Sequence, residues 1–271
     1  MLPNKRTKYQ IIIRYCWICD TLIKNMKNQF VILAAGKGTR MGDGPVPKVL
    51  VMLKNKPLIL YVLHEIEKVN QLAKPVVVVG FQAKKVQGVL GNHYSYAYQD
   101  KQLGTAHAVQ AARSKARAEN IVVLYGDMPF IKAGSLSELI KMHLHSGAKI
   151  SMLTTQVDNF RGKFSSLEHF GRILRDPNHN IIGIVEFKDA TDVQRKIKEV
   201  NPGIYMFNAK WLWESLKHIG NKNVQQEYYL TDIVGVAIAQ GERVHNFSVP
   251  PEQVLGINTR EELETAEKLI K

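Results

Sequence analysis

The sequence predicts an α/β protein with a doubly wound, Rossmann-like mixed sheet. Short apolar runs, typical of buried parallel strands, alternate with helical patterns from about residue 30. The first of these strands ends in a loop with glycine at positions 36 and 38, and such loops are where doubly wound sheets bind ligands. From about residue 149, strand-like stretches with turns replace the alternation, which indicates a mixed or antiparallel addition to the sheet.

The first half of the chain shows the alternation most clearly. The run 30–35 is apolar and is followed by glycine, as expected of a buried strand. The next segment places Leu58, Val62 and Ile66 at helical spacing behind Pro57, which predicts a helix over 57–69. The same reasoning predicts strands over 75–80 and 120–125 and an alanine-rich helix over 105–118.

The second half is predicted to add antiparallel strands and close with a helix. Strands are expected over 149–155, 170–175, 181–186 and 203–207, and helices near 209–218 and 226–240. Thr259 and Glu262 form a capping-box pattern that opens the last helix. We therefore expect one domain over 26–250, with 251–271 as its last strand end and C-terminal helix, preceded by an extension over 1–25.

Composition excludes several classes of protein. The 271 residues carry a net charge of +13, which favours anionic ligands, but no basic run interleaved with aromatics points to nucleic acid. No apolar run reaches the roughly 18–20 residues of a membrane helix. Cys16 and Cys19 lack partners for a zinc site, and the rest of the chain has no cysteine, which predicts a cytoplasmic protein. Residues 1–25 are either a genuine arm or lie upstream of the true start, Met26.

The motif that carries most chemistry is LAAGKGTRM at 33–41, followed by Pro47 and Lys48. A strand that ends in a glycine loop presents backbone N–H groups to an anion, and Arg40 and Lys48 can neutralise a triphosphate. The GxxxxGK[ST] pattern of a P-loop is absent, and the GxGxxG pattern of a dinucleotide loop lacks its third glycine. The loop thus indicates phosphoryl chemistry rather than nicotinamide binding.

This motif and PKVL at 47–50 resemble the signature of the sugar-nucleotide pyrophosphorylases. The remaining chain resembles the uridylyltransferase domain of the bacterial GlmU-type enzymes through further segments, in the family's order: QLGTAHA (102–108), LYGDMP (124–129), FGRI (170–173), GIVEFKDAT (183–191), NPGI (201–204) and EYYLTDI (227–233). The resemblance implies the GT-A-like fold of nucleotide-diphospho-sugar transferases. It also implies synthesis of UDP-N-acetylglucosamine, a precursor of peptidoglycan and lipopolysaccharide, from UTP and N-acetylglucosamine 1-phosphate.

The resemblance also implies roles for individual residues. Arg40, Lys48 and Asp127 would be catalytic, and Asp127 and Asn258 would hold Mg²⁺, which prefers oxygen ligands. The nucleotide would contact Leu33, Ala34, Gly36, Lys48, Gln99, Gly104 and Thr105. The sugar phosphate would contact Tyr125, Gly126, Gly171, Glu186, Asn201 and Thr231. His107, at the head of an alanine-rich helix, is interpreted as structural.

Two departures from the family concern the choice of sugar. Pro202 replaces the usual threonine or serine after Asn201, and the loop 42–47 is about one residue longer and richer in glycine. Two alternatives stay open. The chain could carry out the same reaction with another sugar 1-phosphate or with dTTP, or it could be a catalytically silent nucleotide-sugar-binding protein. The chain ends at Lys271 without hexapeptide repeats, so we expect neither acetyltransferase activity nor the trimerising β-helix of the GlmU-type enzymes. The sequence does not define an oligomeric state.

Overall fold

The fold is seen in a computed structural model of the chain, which describes residues 28–38, 46–69 and 73–270. The predicted extension over 1–25, Cys16, Cys19 and the candidate catalytic residue Arg40 lie outside the described residues. Residues 42–45 of the loop 42–47 also lie outside the described residues. The remaining candidate site residues are all described.

Twelve strands and eight α-helices are found in the described part of the chain. The strands are β1 (Asn28–Ala34), β2 (Met52–Leu53), β3 (Lys56–Pro57), β4 (Val76–Val79), β5 (Ser95–Tyr98), β6 (Asn120–Tyr125), β7 (Ile150–Gln156), β8 (Gly171–Arg175), β9 (Ile181–Val185), β10 (Glu199–Asn201), β11 (Tyr205–Asn208) and β12 (His245–Ser248). The helices are α1 (Leu58–Glu67), α2 (Ala83–Leu90), α3 (Thr105–Ala111), α4 (Ala133–Ser146), α5 (Asp192–Arg195), α6 (Ala209–Ser215), α7 (Asp232–Ala239) and α8 (Arg260–Leu269). Short 3-10 helices occupy Lys48–Leu50, Ala112–Ser114, Gly162–His169, Leu216–His218 and Pro251–Val254.

The main sheet is mixed, as the sequence predicts. Its strand order is β5-β4-β1-β6-β11-β7-β10-β8-β9, with β12 paired to β7. The four strands β5, β4, β1 and β6 are parallel, whereas β11, β10, β8 and β9 pair antiparallel with their neighbours. Parallel strands joined by helices form the first half of the chain, and the antiparallel addition follows them. This arrangement confirms the predicted fold class.

Successive side chains of a strand point to opposite faces of the sheet, and here the side chains on both faces are buried. On β1, Val31 and Leu33 pack into one apolar core, and Phe30 and Ile32 pack into the other. A strand buried on both faces needs apolar residues at every position, which explains the unbroken run that the sequence shows there. A third, small cluster joins the C-terminal helix α8 to the body through Ala266. None of the helices in the described ranges is long and apolar enough to cross a membrane.

The predicted helix over 226–240 is wrong at its beginning. Helix α7 begins only at Asp232, and Gln226 has a left-handed backbone with φ of 55°. The backbone before α7 instead bonds to the segment that follows β5: Tyr228 N donates to Leu103 O (2.8 Å), and Tyr228 O accepts from Ala106 N (2.9 Å). These tertiary hydrogen bonds replace helical ones over 226–231. The helix predicted over 105–118 likewise ends early, at Ala111.

A buried histidine joins α4 to the sheet. His143 is 2% exposed, and its Nδ1 lies 2.9 Å from Ser151 Oγ on β7. Burial, followed by the charge of His245, lowers the pKa of His143 from 6.5 to about 4. The pKa of His245 on β12 is also lowered, chiefly by burial. The folded protein therefore holds His143 neutral at pH values where the unfolded chain protonates it.

This pKa difference predicts acid sensitivity. The folded state binds a proton on His143 less tightly than the unfolded chain does. The contribution of His143 to the free energy of unfolding is therefore complete above about pH 6.5, and it falls by roughly 3 kcal/mol as the pH drops towards about 4. We expect His143→Gln to flatten the dependence of Tm on pH over this range, measured by thermal unfolding. His145→Gln, on the exposed side of the same helix, should keep the wild-type slope. An unchanged slope in His143→Gln would show that another group is responsible.

Candidate active site

A cleft lies at the carboxyl ends of the parallel strands, where doubly wound sheets bind ligands. Its first half has a volume of about 240 Å³ and its second half about 260 Å³. Both halves are lined by the same five residues, namely Lys48, Thr105, Tyr125, Asp127 and Glu227. The two halves are therefore neighbouring parts of one site, and these residues stand at their junction.

The first half contains every predicted nucleotide contact. Leu33 and Ala34 end β1, Gly36 follows them, and Gln99 follows β5. Gly104 and Thr105 open helix α3 on the other side. Gly104 approaches the backbone of Tyr228 so closely that a Cβ would overlap it, so the segment before α7 forms a wall here. Thr105 Oγ1 accepts from Leu230 N at 2.9 Å, which ties α3 to the same wall.

The second half contains the predicted sugar contacts, with one exception. Tyr125, Gly171, Glu186, Asn201 and Thr231 all line it. Gly126 does not line the cleft: it is buried beneath it, with its N–H donating to Leu33 O at 3.0 Å. A side chain at that position would press on Val49, so the glycine allows close packing under the cleft floor.

Glu186 is a carboxylate of the second half whose pKa is raised by its surroundings. Burial raises its pKa, and the nearby carboxylates of Asp232, Asp189 and Glu227 raise it further, whereas the hydrogen bond from Thr231 Oγ1 (2.9 Å) lowers it. Burial followed by the charge of Asp189 also raises the pKa of Asp232. This end of the cleft is thus acidic and accepts hydrogen bonds, which suits neutral hydroxyl groups better than anions.

Asn201 uses its side chain within the protein. Its Nδ2 donates to the Tyr205 hydroxyl at 2.7 Å, and its Oδ1 accepts from Gly203 N at 2.9 Å. Pro202, which lies between Asn201 and Gly203 in the sequence, also lines the cleft and supplies no backbone N–H. Asn201 therefore shapes the turn at the cleft wall, in addition to any contact that it makes with a ligand.

Lys48 joins the two residues that were predicted to hold a metal. Its Nζ forms an ion pair with Asp127 Oδ2 and a hydrogen bond with Asn258 Oδ1. The Lys48 and Asp127 side chains are 18% and 12% exposed, so the pair is largely shielded from solvent. Asn258 is fixed by the start of α8, because Glu262 Oε2 accepts from Thr259 N in the capping box and also bonds to Asn258 N. Ile257 N donates to Asp127 O at 3.0 Å, which fastens this segment to the end of β6.

These oxygens fit a hard cation. Asp127 and Asn258 direct a carboxylate and an amide oxygen to one point, where they already stabilise the positive charge of Lys48. Oxygen donors of this kind are what Mg²⁺ takes in proteins, usually two or fewer with substrate phosphates completing the shell. Among the described residues, no group of three or more His, Cys, Asp or Glu side chains could hold a metal ion.

The structure adds residues that the sequence analysis did not assign. Glu227 lines both halves of the cleft, and Gln102 lines the first half while donating from Nε2 to Ala35 O at 3.0 Å. Both lie inside the motif segments EYYLTDI and QLGTAHA, so the motifs were the available signal. The bond from Gln99 Nε2 to Gly104 O (3.0 Å) could not be read from the sequence, because it depends on how the loop after β5 turns.

Comparison with known proteins agrees with this geometry. The sequence model of the family described as "MobA-like NTP transferase domain" matches residues 30–219. The bifunctional protein GlmU of Caldicellulosiruptor saccharolyticus is 44% identical over 249 residues, which are 90% of this chain and 52% of that protein. GlmU of Oceanobacillus iheyensis is 41% identical over 250 residues, or 91% of this chain and 53% of the relative. This chain thus spans about half the length of these relatives.

A solved structure supports the fold. A UDP-glucose pyrophosphorylase complexed with UDP-glucose superposes with a TM-score of 0.71 at 16% identity, covering 90% of this chain and 98% of the other. The predicted resemblance to the GlmU-type proteins and the predicted fold are therefore confirmed. The family match covers most of the chain, and the chain belongs to the family of MobA-like NTP transferase domains.

Proposed function

We propose that the chain is a uridylyltransferase that makes UDP-N-acetylglucosamine and pyrophosphate from UTP and N-acetylglucosamine 1-phosphate, with Mg²⁺. The observation that carries this proposal is the junction of the cleft, where Lys48, Asp127 and Asn258 meet between the two halves. A nucleotide in the first half and a sugar phosphate in the second would bring their phosphates together there. The GlmU relatives support the choice of reaction.

The first half suits uracil. Gln99 Nε2 lies 3.0 Å from Gly104 O, which only accepts, and 3.1 Å from His107 Nδ1. With its nitrogen used in this way, the amide retains Oε1 as an acceptor that can meet the base. An acceptor pairs with the N3–H of uracil, whereas cytosine has an acceptor at N3. This contact favours UTP over CTP.

The reaction we infer is an in-line attack by a phosphate oxygen of the sugar phosphate on the α-phosphorus of UTP. One P–O bond forms, the bond to the β-phosphate breaks, and pyrophosphate leaves. The nucleophile is already anionic near neutral pH, so no general base is required. The protein holds the reactants in line and neutralises their charge, with Lys48 as a cation at the junction. Mg²⁺ held by Asp127 and Asn258 would neutralise charge on the phosphate oxygens. Arg40 is proposed to assist on the phosphates.

The proposed product is a precursor of peptidoglycan and lipopolysaccharide, which implies a cytoplasmic enzyme. The acidic character of the second half around Glu186 and its acceptor groups support a sugar with free hydroxyls as the other substrate. The remaining alternatives are another sugar 1-phosphate, dTTP, or a silent nucleotide-sugar-binding protein. They differ in which substrates release pyrophosphate, so one assay separates them.

The test is pyrophosphate release by the full chain with UTP and Mg²⁺. N-acetylglucosamine 1-phosphate, glucose 1-phosphate and glucosamine 1-phosphate are compared in parallel, and dTTP replaces UTP in a second series. Preference for UTP with the acetylated sugar supports the proposal. Release with another sugar retains the reaction and changes the substrate, and no release from folded protein favours the silent binding protein.

Lys48→Ala is predicted to weaken triphosphate binding by roughly tenfold or more, because it removes a shielded cation from the junction. The measurement is KM for UTP, with direct titration of UTP as a second readout. Lys217→Ala is the matched control: Lys217 is exposed, pairs with Glu214 of α6 and does not line the cleft. If Lys48→Ala and Lys217→Ala bind UTP equally well, Lys48 does not contact the phosphates.

A further inference from the structure

Arg172 on β8 is a fully buried cation that the proposed reaction does not use. Its exposed fraction is 0%, and none of the ion pairs found in the described ranges includes it. Its guanidinium carbon lies instead 4.7 Å from the ring centre of Phe160 and 5.2 Å from that of Phe187. Since a buried charge is costly without compensating contacts, the surroundings of this side chain must hold it in a defined place.

The guanidinium of Arg172 donates to three backbone carbonyls at the ends of two helices. Nη2 donates to Glu168 O (2.8 Å) and Nη1 to Phe170 O, where the 3-10 helix Gly162–His169 ends. Nε donates to Arg195 O (3.2 Å), in the last residue of α5. The last carbonyls of a helix have no partner within it, so one side chain satisfies groups that both helices leave open. Lysine lacks the planar fork and could not hold all three carbonyls.

The segments that Arg172 joins line the second half of the cleft and not the first. Residues 169–171, directly before Arg172, line the second half, and Glu186 lines it as well. A Cβ added to Gly171 would lie 3.6 Å from the carboxylate carbon of Glu186, so the two segments are close neighbours. None of residues 160–201, all of which the structure describes, lines the first half. A displacement at Arg172 should therefore act on the second half alone.

Phe187 connects Arg172 to Glu186, the residue before it. The guanidinium of Arg172 lies over the Phe187 ring, and the His169 ring packs edge-on against the same ring at 5.3 Å. Phe187 O accepts from Arg195 Nε at 3.3 Å, and Arg172 bonds to the carbonyl of that same arginine. Phe187 is thus held by Arg172 and by residues that Arg172 contacts, which fixes its neighbour Glu186 at the cleft wall.

We propose that Arg172 is a positioning residue for the sugar phosphate, because it sets the distance between the backbone at Gly171 and the carboxylate of Glu186. This inference rests on the proposed function and deepens it by naming a residue that shapes the pocket for the sugar. A merely structural role would lower Tm and weaken both substrates alike. A positioning role weakens the sugar phosphate and spares UTP, since the two occupy different halves of the cleft.

The experiment compares KM for N-acetylglucosamine 1-phosphate and KM for UTP in the wild type and in Arg172→Lys. We expect the KM for the sugar phosphate to rise by roughly tenfold and the KM for UTP to change by less than about twofold. Arg175→Lys is the matched control: it makes the same change on the same strand, at a partly exposed residue that pairs with Glu199 and lines neither half. Arg175→Lys should keep both KM values.

Circular dichroism and Tm identify a variant that fails to fold. If Arg172→Lys does not fold, Phe187→Leu takes its place, because it removes the partly exposed ring that connects Arg172 to Glu186 and should raise the same KM selectively. Equal rises in the two KM values, or no rise in either, in the folded variant would overturn the inference.

A binding measurement separates this inference from the proposed function. If the wild type releases no pyrophosphate, the proposed function fails, and Kd is measured for UDP-N-acetylglucosamine and for UDP, which differ only in the sugar. The inference then expects the wild type to bind the sugar nucleotide more tightly than UDP and Arg172→Lys to lose most of that difference. A wild type with equal Kd values, or a variant that keeps the wild-type difference, would contradict it.

Discussion

Replacing Asp127 by asparagine is expected to reduce pyrophosphate release by roughly a hundredfold or more while leaving the fold intact. Asp127 follows β6 at the junction of the two halves of the cleft, and its carboxylate pairs with Lys48. Asparagine keeps the shape and one oxygen of the side chain but removes its negative charge. The loss should fall mainly on kcat, because the charge acts where the phosphates react.

The fold should survive this change for a structural reason. The backbone carbonyl of Asp127 that accepts from Ile257 N is retained, and Lys48 Nζ, which loses its ion pair, keeps its hydrogen bond to Asn258 Oδ1. Activity is measured as initial rates at saturating UTP and sugar phosphate over a range of Mg²⁺ concentrations. Asp158→Asn, on an exposed bend after β7, is the matched control. A folded Asp127→Asn variant with wild-type kcat would contradict the assignment of Asp127 as a metal and catalytic residue.

Gly203→Ala is expected to destabilise the protein by about 3 kcal/mol and to impair binding of the sugar phosphate more than binding of UTP. Gly203 has φ of 76°, a left-handed conformation that alanine adopts only with strain. A Cβ at this position would overlap the ring of Tyr125, which lines both halves of the cleft. Relief requires the ring or the turn at Asn201 to move, and both belong to the second half of the cleft.

Two measurements check this expectation. Thermal unfolding should show a Tm lower by several degrees, and KM for N-acetylglucosamine 1-phosphate should rise more than KM for UTP. Gly235→Ala is the matched control, because Gly235 lies inside α7 with nothing within 4 Å of an added methyl group and should be neutral or slightly stabilising. Equal Tm values for Gly203→Ala and the wild type would mean that Tyr125 moves away without cost.

The strands around the cleft were predictable because burial imposes a simple pattern. Strand β1 is covered on both faces and therefore reads as an unbroken apolar run, and the same holds for Val76–Val79 of β4. The short strand β10 and the edge strand β5 carry mixed side chains and were not predicted. These strands form because they pair with strands elsewhere in the sequence, and a local sequence pattern does not predict such pairing.

Motif segments identified most of the residues that line the cleft, since most of these segments lie at the end of a strand or at the beginning of a helix. The hydrogen-bond and ion-pair partners of these residues, by contrast, depend on tertiary contacts. Lys48 and Asn258 are 210 positions apart, and they meet at Asp127, which pairs with Lys48 and accepts a hydrogen bond from Ile257 N next to Asn258. The segment 226–231 has a helical pattern, yet hydrogen bonds to Leu103 and Thr105 draw it into the cleft wall.

By itself, the sequence determined the class of fold, the strand that leads into the glycine loop, and the charged residue types that follow it. These properties depend on the spacing of apolar residues and on the chemistry of single side chains, both of which are local. The tertiary structure decided which polar groups satisfy one another: Lys48 with Asp127 and Asn258, and the nitrogen of Gln99 with Gly104 and His107. Hydrogen bonds and ion pairs form only at short distances, so these partnerships exist only once the sheet has placed its strand ends side by side.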